Sequence, residues 1–295
     1  MAIPNFGSMQ SALALVGMGQ LLNADFGALL NRAQSEEVDN YNWSFILTNT
    51  VVFSAAPYST GTISVAQGSA VVNGTGTLWT AALAGFQIRF GASGMLIQIA
   101  SVQNAAQLTL STPWMGAPIA NSTYAISQSY YPIPGAKEIT AIKNVIYLGK
   151  LSREALNLAD PQRLSVGGAP ALNWAPAPYT ADGTLQVEMW PVPSGVLPYV
   201  VEYRQTAVPM VSSIDIPMVP AAVLEAKAMK YACDALYASS GDPRYGALAK
   251  EWNATYADER DKAQHSDKLR ELTQSPPIQA PNAFGMDYLP EHDPY

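Results

Sequence analysis

The sequence has little charge for its length. Charged residues make up 13% of its 295 residues, whereas hydrophobic residues make up 48%. An average soluble protein carries about 25% charged residues. With so few charged side chains, the surface of a monomer would have few groups that interact strongly with water. The composition therefore suggests that neighbouring subunits cover part of the surface.

Cysteine and histidine are also scarce. The single cysteine, Cys233, excludes an intrachain disulfide, and its helical spacing among Ala and Tyr predicts a small core residue rather than a nucleophile. The two histidines, His265 and His292, lack the Cys or His neighbours of a metal site, and no G-x-S-x-G string offers them a serine. Cysteine and histidine therefore give no catalytic residue and no metal site, and no cofactor is expected.

Clusters of carboxylates are the remaining candidates for chemistry, because paired acids can hydrolyse glycosides when burial raises one pKa. These clusters alternate with Lys and Arg, which is typical of solvated helix faces. We therefore expect a protein that is not an enzyme, with a glycan hydrolase as the weakest alternative. The clustered acids are Glu36, Glu37 and Asp39, then Asp258, Glu259 and Asp261.

Basic clusters and long apolar runs are missing as well. The net charge is −7, from 16 Lys and Arg against 23 Asp and Glu, so tight binding of DNA or RNA is not expected. No run approaches the roughly 20 apolar residues that cross a bilayer, so we expect no membrane association. No basic-plus-apolar segment stands at the N-terminus, so we expect no signal peptide and synthesis in the cytoplasm.

Periodicity and turn residues predict an α+β fold. Helical spacing marks residues 8–40, and Pro220 and Gly241 bracket a later helix with one apolar stripe. Between them, the run from Trp43 to Phe53 reads as a strand, brief β runs alternate with glycine turns, and the stretch Gly167 to Pro178 is expected to be irregular. The predicted domains are a discontinuous helix bundle (1–42 and 217–272), a small β-barrel or sandwich insert of about six strands (43–131), a second antiparallel β region (132–216) and an extended C-terminal arm (273–295).

Five aromatic residues lie in or beside the predicted β insert. Exposed together they would form a sugar-binding platform, but packing in the core of a small β domain is the favoured interpretation. They are Trp79, Trp114, Tyr124, Tyr130 and Tyr131.

Several short strings resemble the phage head-to-tail adaptors (neck or connector proteins) of the tail tubular protein A type. The resemblance covers roughly residues 25 to 240. Similar Gly-Ser-Thr-Trp modules recur in other phage tail proteins, so a tail, fibre or decoration module that binds host glycan through the β insert is the alternative. The strings are Gly61–Ser69, Gly74–Trp79, Ile88–Gly91, Ile99–Val102, Gln107–Leu110, Tyr131–Pro134, Leu151–Ala155, Leu185–Pro193 and Val201–Arg204.

The resemblance implies a viral structural protein that forms a homo-oligomeric, dodecameric ring between the portal protein and the tail nozzle or tail tube protein. Genomic DNA would pass through the lumen at ejection without specific binding, and an acidic wall would help it slide. The expected location is the virion neck, the head-tail junction, after assembly in the host cytoplasm.

The resemblance also gives a role to the C-terminal arm, Ser275 to Tyr295. In such adaptors the arm docks into grooves of the portal, and its apolar anchors provide most of the contact energy. A merely frayed tail is the alternative. The portal-binding residues that we predict are Pro276, Pro277, Phe284, Met286, Tyr288, Leu289 and Tyr295.

Overall fold

Helices lie near both ends of the chain, and nearly all strands lie between them. The structure, a computed structural model, describes residues 4–15, 23–91, 95–161, 163 and 170–274. The predicted α+β class is confirmed, because the described residues form five α-helices and mainly antiparallel sheets. The helices are α1 (Phe6–Leu15), α2 (Asn23–Asn40), α3 (Arg153–Ala159), α4 (Ala221–Ser240) and α5 (Pro243–Gln274).

Fourteen strands complete the described part of the chain. They are β1 (Leu47–Phe53), β2 (Thr62–Val65), β3 (Ser69–Thr75), β4 (Gln87–Phe90), β5 (Leu96–Asn104), β6 (Gln107–Trp114), β7 (Ile119–Ser122), β8 (Tyr124–Ser127), β9 (Tyr130–Pro132), β10 (Ala136–Lys143), β11 (Gly149–Lys150), β12 (Asn173–Ala177), β13 (Gln186–Trp190) and β14 (Pro198–Gln205). The chain divides into two units. The helical unit consists of residues 1–46 and 207–295, and the β unit consists of residues 47–206.

Local sequence signals set the ends of α4. Pro220 stands at its N-cap, where a missing N–H costs nothing, and Gly241 ends the helix in the left-handed conformation with φ 68°. The N–H of Gly241 donates to the carbonyl of Tyr237 at 2.9 Å. One face of α4 is buried, including Cys233, as its spacing predicts.

The core of the helical unit lies between α1, α2, α4 and α5. It is apolar, and its largest side chains are completely or almost completely buried. They include Met9, Leu13, Phe26, Leu30, Trp43, Leu224 and Met229. These residues come from both ends of the sequence, so the helical unit is built from two separate parts of the chain.

Trp43 and the next three residues belong to the helical unit rather than to the strand that the sequence predicts from Trp43 to Phe53. Residues Ser44–Ile46 form a 3-10 turn, and only Leu47–Phe53 is a strand. The buried Asp267 holds this turn, since its two carboxylate oxygens accept from the backbone N–H of Ser44 at 2.9 Å and from its hydroxyl at 2.5 Å. Periodicity in the apolar run could not reveal this long-range anchor.

Strands β1 and β14, which enter and leave the β unit, pair with each other along their full length. Leu47 lies opposite Arg204 and Phe53 opposite Pro198, with no shift of register. Strand β10 pairs with the other side of β14 through two register shifts, giving a three-stranded sheet of order β1-β14-β10. A four-stranded sheet of order β11-β12-β13-β9 also belongs to the β unit.

Strands β2 to β8 form a seven-stranded sheet of order β7-β2-β3-β6-β5-β4-β8. The first part of β5 pairs with β4, where Ile97 faces Ile88, and the second part pairs with β6 from Ile99 onward. A register shift separates Ile99 from Ser101, and such a bulge lets one long strand turn from one partner to another. The apolar residues of the sheet face one shared core.

The expectation that Gly167 to Pro178 is irregular is wrong in its second half. Asn173–Ala177 is the strand β12, which pairs antiparallel with β13 over five residues. Trp174 and Ala175 are buried, so tertiary packing overrides the local turn signals. Pro176 is tolerated because β11 covers only residues 173 and 174, and β12 is a sheet edge beyond them.

Candidate interaction surfaces

A buried ionic network holds together the three longer helices of the helical unit. Glu37 of α2 is completely buried, and its Oε1 accepts from the Lys227 ammonium of α4 and from the Tyr256 hydroxyl of α5, each at 2.6 Å. Arg260 Nε of α5 lies 3.4 Å from Glu37 Oε2. Burial, and then the hydrogen bond to Glu37, raises the pKa of the Tyr256 hydroxyl, which therefore stays a donor.

Glu36 extends this network toward the surface. Its carboxylate accepts from Arg32 at 2.9 Å and from the Tyr231 hydroxyl, and Lys227 Nζ lies 3.2 Å away. Burial raises the pKa of Glu36, but the hydrogen bonds from Tyr231, Arg32 and Lys227 and the charge of Lys227 outweigh it and lower the pKa to about 2. Glu36 is therefore ionised throughout the neutral range.

The expectation that Glu36, Glu37 and Asp39 form a solvated face is wrong for Glu37. Its carboxylate lies inside the helical unit because Lys227 and Tyr256, about 200 residues further along the chain, supply the compensating charge and hydrogen bond. Asp258 and Asp261 are exposed, as predicted for their cluster. Because the buried acids are committed to ion pairs, the network acts as a rigid tie between helices.

Acid should weaken the helical unit through Glu36. The folded pKa of about 2 lies below the ordinary value of 4.5, so the stabilisation is complete above pH 4.5 and is lost as the pH falls toward 2. We expect the free energy of unfolding to decline over this window in the wild type and to decline less in Glu36→Gln. Urea denaturation between pH 2 and pH 6 measures it, with Glu251→Gln on the exposed side of α5 as the control. Equal slopes for wild type and Glu36→Gln would contradict the assignment.

A groove of about 490 Å³ runs beside the last turns of α5 within the helical unit. Its walls are mainly apolar, and charged groups stand along one side. The lining includes Phe45, Ile216, Met218, Ala221, Ala263 and Arg270. Met218 is fixed by its backbone N–H, which donates to Gln34 Oε1 at 2.8 Å. The groove is thus a preformed, open apolar surface.

A rigid loop that presents apolar side chains precedes this groove. Asp215 accepts from the backbone N–H groups of Val211 and Ser212 at 2.6 and 2.7 Å, which closes the loop on itself. The N–H of Gly7 donates to the carbonyl of Ser213 at 2.9 Å, and a Cβ on Gly7 would lie only 2.9 Å from that of Ser213. Val211 is 85% exposed although the loop is tied down. Such a surface binds a partner at little cost in ordering.

Charge is distributed unequally between the two units. The helical unit carries 9 Lys and Arg against 17 Asp and Glu, whereas the β unit carries 7 against 6. The net negative charge of the chain therefore comes entirely from the helical unit. An acidic surface repels the phosphates of nucleic acid, and a nearly neutral one can approach copies of itself without electrostatic cost.

The aromatic residues proposed for a sugar platform are for the most part inside the β unit. Trp79, Tyr124 and Tyr131 are at most 3% exposed, and Trp79 Nε1 donates to the Tyr124 hydroxyl at 3.0 Å. Trp114 packs edge-on against Phe90 with ring centroids 5.0 Å apart. These contacts make the aromatic cluster part of the core rather than a platform.

Most of the other residues singled out from the sequence belong to its C-terminal segment. His265 is exposed on α5, whereas His292 and the seven predicted portal-binding residues, from Pro276 to Tyr295, lie outside the described residues. Within the described ranges, no group of His, Cys, Asp and Glu is arranged to hold a metal ion. None of the described helices combines the length and apolarity that a membrane span needs.

The sequence of the chain matches a known protein family. A sequence model of the SU10 adaptor protein family matches residues 78–280, which is more than half of the chain. The match begins in the β unit and continues past the end of α5, so it includes the ionic ties from α4 and α5. None of the curated proteins matches the chain.

Proposed function

The chain belongs to the SU10 adaptor protein family, a family of phage adaptors, and from this premise we propose that it is a head-to-tail adaptor. Its copies form a ring, dodecameric by the resemblance to adaptors of the tail tubular protein A type, between the portal and the tail. The ring lies at the neck of the particle and leaves a passage for DNA. The family match over residues 78–280 is the observation that carries this proposal.

The charge distribution supports a role near passing DNA. The helices of the helical unit form the body of the ring as a bundle, and this unit carries the acidic excess. An acidic wall repels phosphate, so that the genome slides without sticking. The buried tie between Glu37 and Lys227 keeps the body rigid while DNA moves past it.

Contact with the portal is assigned to residues 275–295, with Phe284, Met286, Tyr288, Leu289 and Tyr295 as apolar anchors and Pro276 and Pro277 limiting the conformations of the arm. Large apolar side chains at intervals in a Pro-rich segment suit the hot-spot pattern of peptide recognition. The loop at Val211 and the groove beside α5 are apolar surfaces that suit contacts with further neck or tail proteins.

The proposed role is passive, without an enzymatic step. What supports this is the state of the candidate acids: Glu37 is committed to Lys227 and Tyr256, and Glu36 to Arg32, Tyr231 and Lys227. A carboxyl whose pKa is lowered to about 2 cannot serve as the protonated acid of a glycosidase at neutral pH. Turnover of a glycan abolished by one carboxylate substitution would overturn this part.

The alternative, a tail or fibre module that binds host glycan, receives less support. The side chains of Trp79, Tyr124 and Tyr131 are buried, so they cannot stack on a sugar without unfolding the β unit. Glycan-array binding by the full chain, lost on substitution of an exposed aromatic residue such as Tyr179, would revive it.

Particle composition tests the proposal directly. We expect the chain in purified mature particles, with antibody labelling confined to the head-tail junction. Particles assembled without it should be filled heads that lack tails or leak DNA. A chain missing from mature particles, or labelling along the fibres, would contradict the adaptor role.

A further inference from the structure

Strand β1 presents an open edge and an apolar face. Among the described residues it pairs only with β14, and the seven residues Leu47–Phe53 contain no charge, no proline and no register shift. Natural proteins usually guard such an edge with lysine, proline or a bulge. Strand β10, at the opposite edge, has two register shifts and both Lys137 and Lys143. Of the two edges of this sheet, only β1 is left unguarded.

Apolar side chains are exposed along β1 and at the end of the sheet where β1 ends, which we call the tip. Leu47 and Val51 are each 48% exposed and Phe53 is 61% exposed, and together with the exposed Asn49 they form one face of the strand, three of whose four side chains are apolar. Ser54, the next residue, donates its N–H to the carbonyl of Leu197 at 2.9 Å and its hydroxyl to that of Gly195 at 2.7 Å. These bonds place the 66%-exposed side chain of Val196 close to the end of β1.

The turn after β10 adds three exposed residues to this tip. Asn144 Nδ2 donates to the carbonyl of Pro198, which lies opposite Phe53 in the sheet. The residues that follow, Val145, Ile146 and Tyr147, are 60–90% exposed. We call the combined surface the apolar edge; its members are Leu47, Val51, Phe53, Val145, Ile146, Tyr147 and Val196.

The seven-stranded sheet of the same unit carries hardly any charge. From residue 47 to residue 136 the only charged side chain is Arg89, and Arg89 is buried at 8% exposure. Its guanidinium donates to the carbonyl of Arg163 within the β unit. The seven-stranded sheet therefore shows solvent no ionic side chain, which is unusual for a surface that remains in water.

We propose that the apolar edge is the contact between neighbouring copies of this chain, with β1 of one copy adding to the β surface of the next. The inference rests on the proposed ring. A ring needs a head-to-tail contact between two different patches, and an open strand edge with an apolar face supplies one of them.

Two observations favour a second copy as the occupant. The seven side chains expose an area on the order of 600 Å², which is at the upper end of the apolar patches on ordinary monomers and approaches the ~800 Å² per partner of a stable interface. The β unit also carries 7 basic against 6 acidic residues, so no strong net charge opposes a contact between the β units of two copies.

Sedimentation velocity of the purified full chain, from micromolar to near-millimolar concentration, tests the contact. We expect concentration-dependent self-association in the wild type. Val51→Lys and Ile146→Lys should each raise the dissociation constant at least about 10-fold, because a lysine in the contact must be desolvated. Leu158→Lys, at an exposed apolar position of the β unit on α3 outside the apolar edge, is the control and should change it less than about 2-fold. Unchanged circular dichroism and melting show that all three variants fold.

Hydrogen exchange adds a readout specific to the strand. Amides of β1 that face away from β14 should gain protection with increasing concentration, and those of the edge strand β10 should not. A chain that stays monomeric throughout, variants that associate like the wild type, or self-association without protection of β1 would each overturn the contact. So would variants that lose only binding to another phage protein. None of these results would contradict the adaptor role, because that role is tested by the presence of the chain at the neck and by its binding to the portal.

Discussion

Replacing Lys227 by Met should lower the free energy of unfolding of the helical unit by about 3 kcal/mol, because it leaves a buried carboxylate without its positively charged partner. This is the largest effect on stability that we expect from a single substitution in the network. Lys227 is 5% exposed and lies 2.6 Å from the fully buried carboxylate of Glu37. Without the ammonium, Glu37 keeps the Tyr256 hydroxyl and the more distant Arg260, which offset only part of the cost of a buried charge.

Lys230→Met provides the control for this prediction. Lys230 lies one turn away on α4 and pairs with Asp234 at 3.1 Å, but both side chains are solvated, so the change should cost less than about 1 kcal/mol. The double variant Lys227→Met/Glu37→Gln removes both charges and should recover part of the lost stability. Hydrogen exchange of the α4 amides reports on the helical unit alone, which matters in a chain of two units. Equal effects of the two lysine substitutions would refute the structural role of the network.

Removal of residues 275–295 should lower the affinity for the portal at least about 100-fold, which corresponds to roughly 3 kcal/mol of binding free energy. The reason is the set of large apolar side chains in this segment, since a few buried aromatic anchors usually carry most of a contact. Alanine at Phe284 and Tyr288 should reproduce most of the loss, whereas alanine at the polar positions Gln279 and Asn282 should have little effect. Surface plasmon resonance on immobilised portal measures all variants.

Two results would contradict the predicted role of the arm in binding the portal. If residues 275–295 were only a frayed tail, the truncated chain would bind the portal within about 2-fold of the full chain. Equal losses from the apolar and the polar substitutions would likewise show that the anchors have no special role. Either result would move the portal contact to another surface of the chain.

Local signals in the sequence were enough to predict the helices that lie near the two ends of the chain. Pro220 and Gly241 fix α4 because each acts through its own backbone geometry. The buried position of Cys233 followed from helical spacing alone. The alternation of β runs and glycine turns in the same way predicted most strands of the seven-stranded sheet.

Features that depend on partners far along the chain could not be predicted. Glu37 reads as a solvated acid because its partners Lys227 and Tyr256 become neighbours only after folding. Residues 173–177 read as irregular because proline and glycine dominate the local signal, yet β13 supplies the pairing that makes them a strand. The apolar run at β1 was visible, but the sequence does not show which strand edge stays open.

Electron microscopy and native mass spectrometry of the purified chain mixed with its portal test the central claim most directly. We predict a closed ring of the chain seated on the portal, with an open lumen and one stoichiometry throughout, and no ring when residues 275–295 are removed. A chain that does not bind the portal under any condition, although both proteins are folded, would contradict the adaptor account.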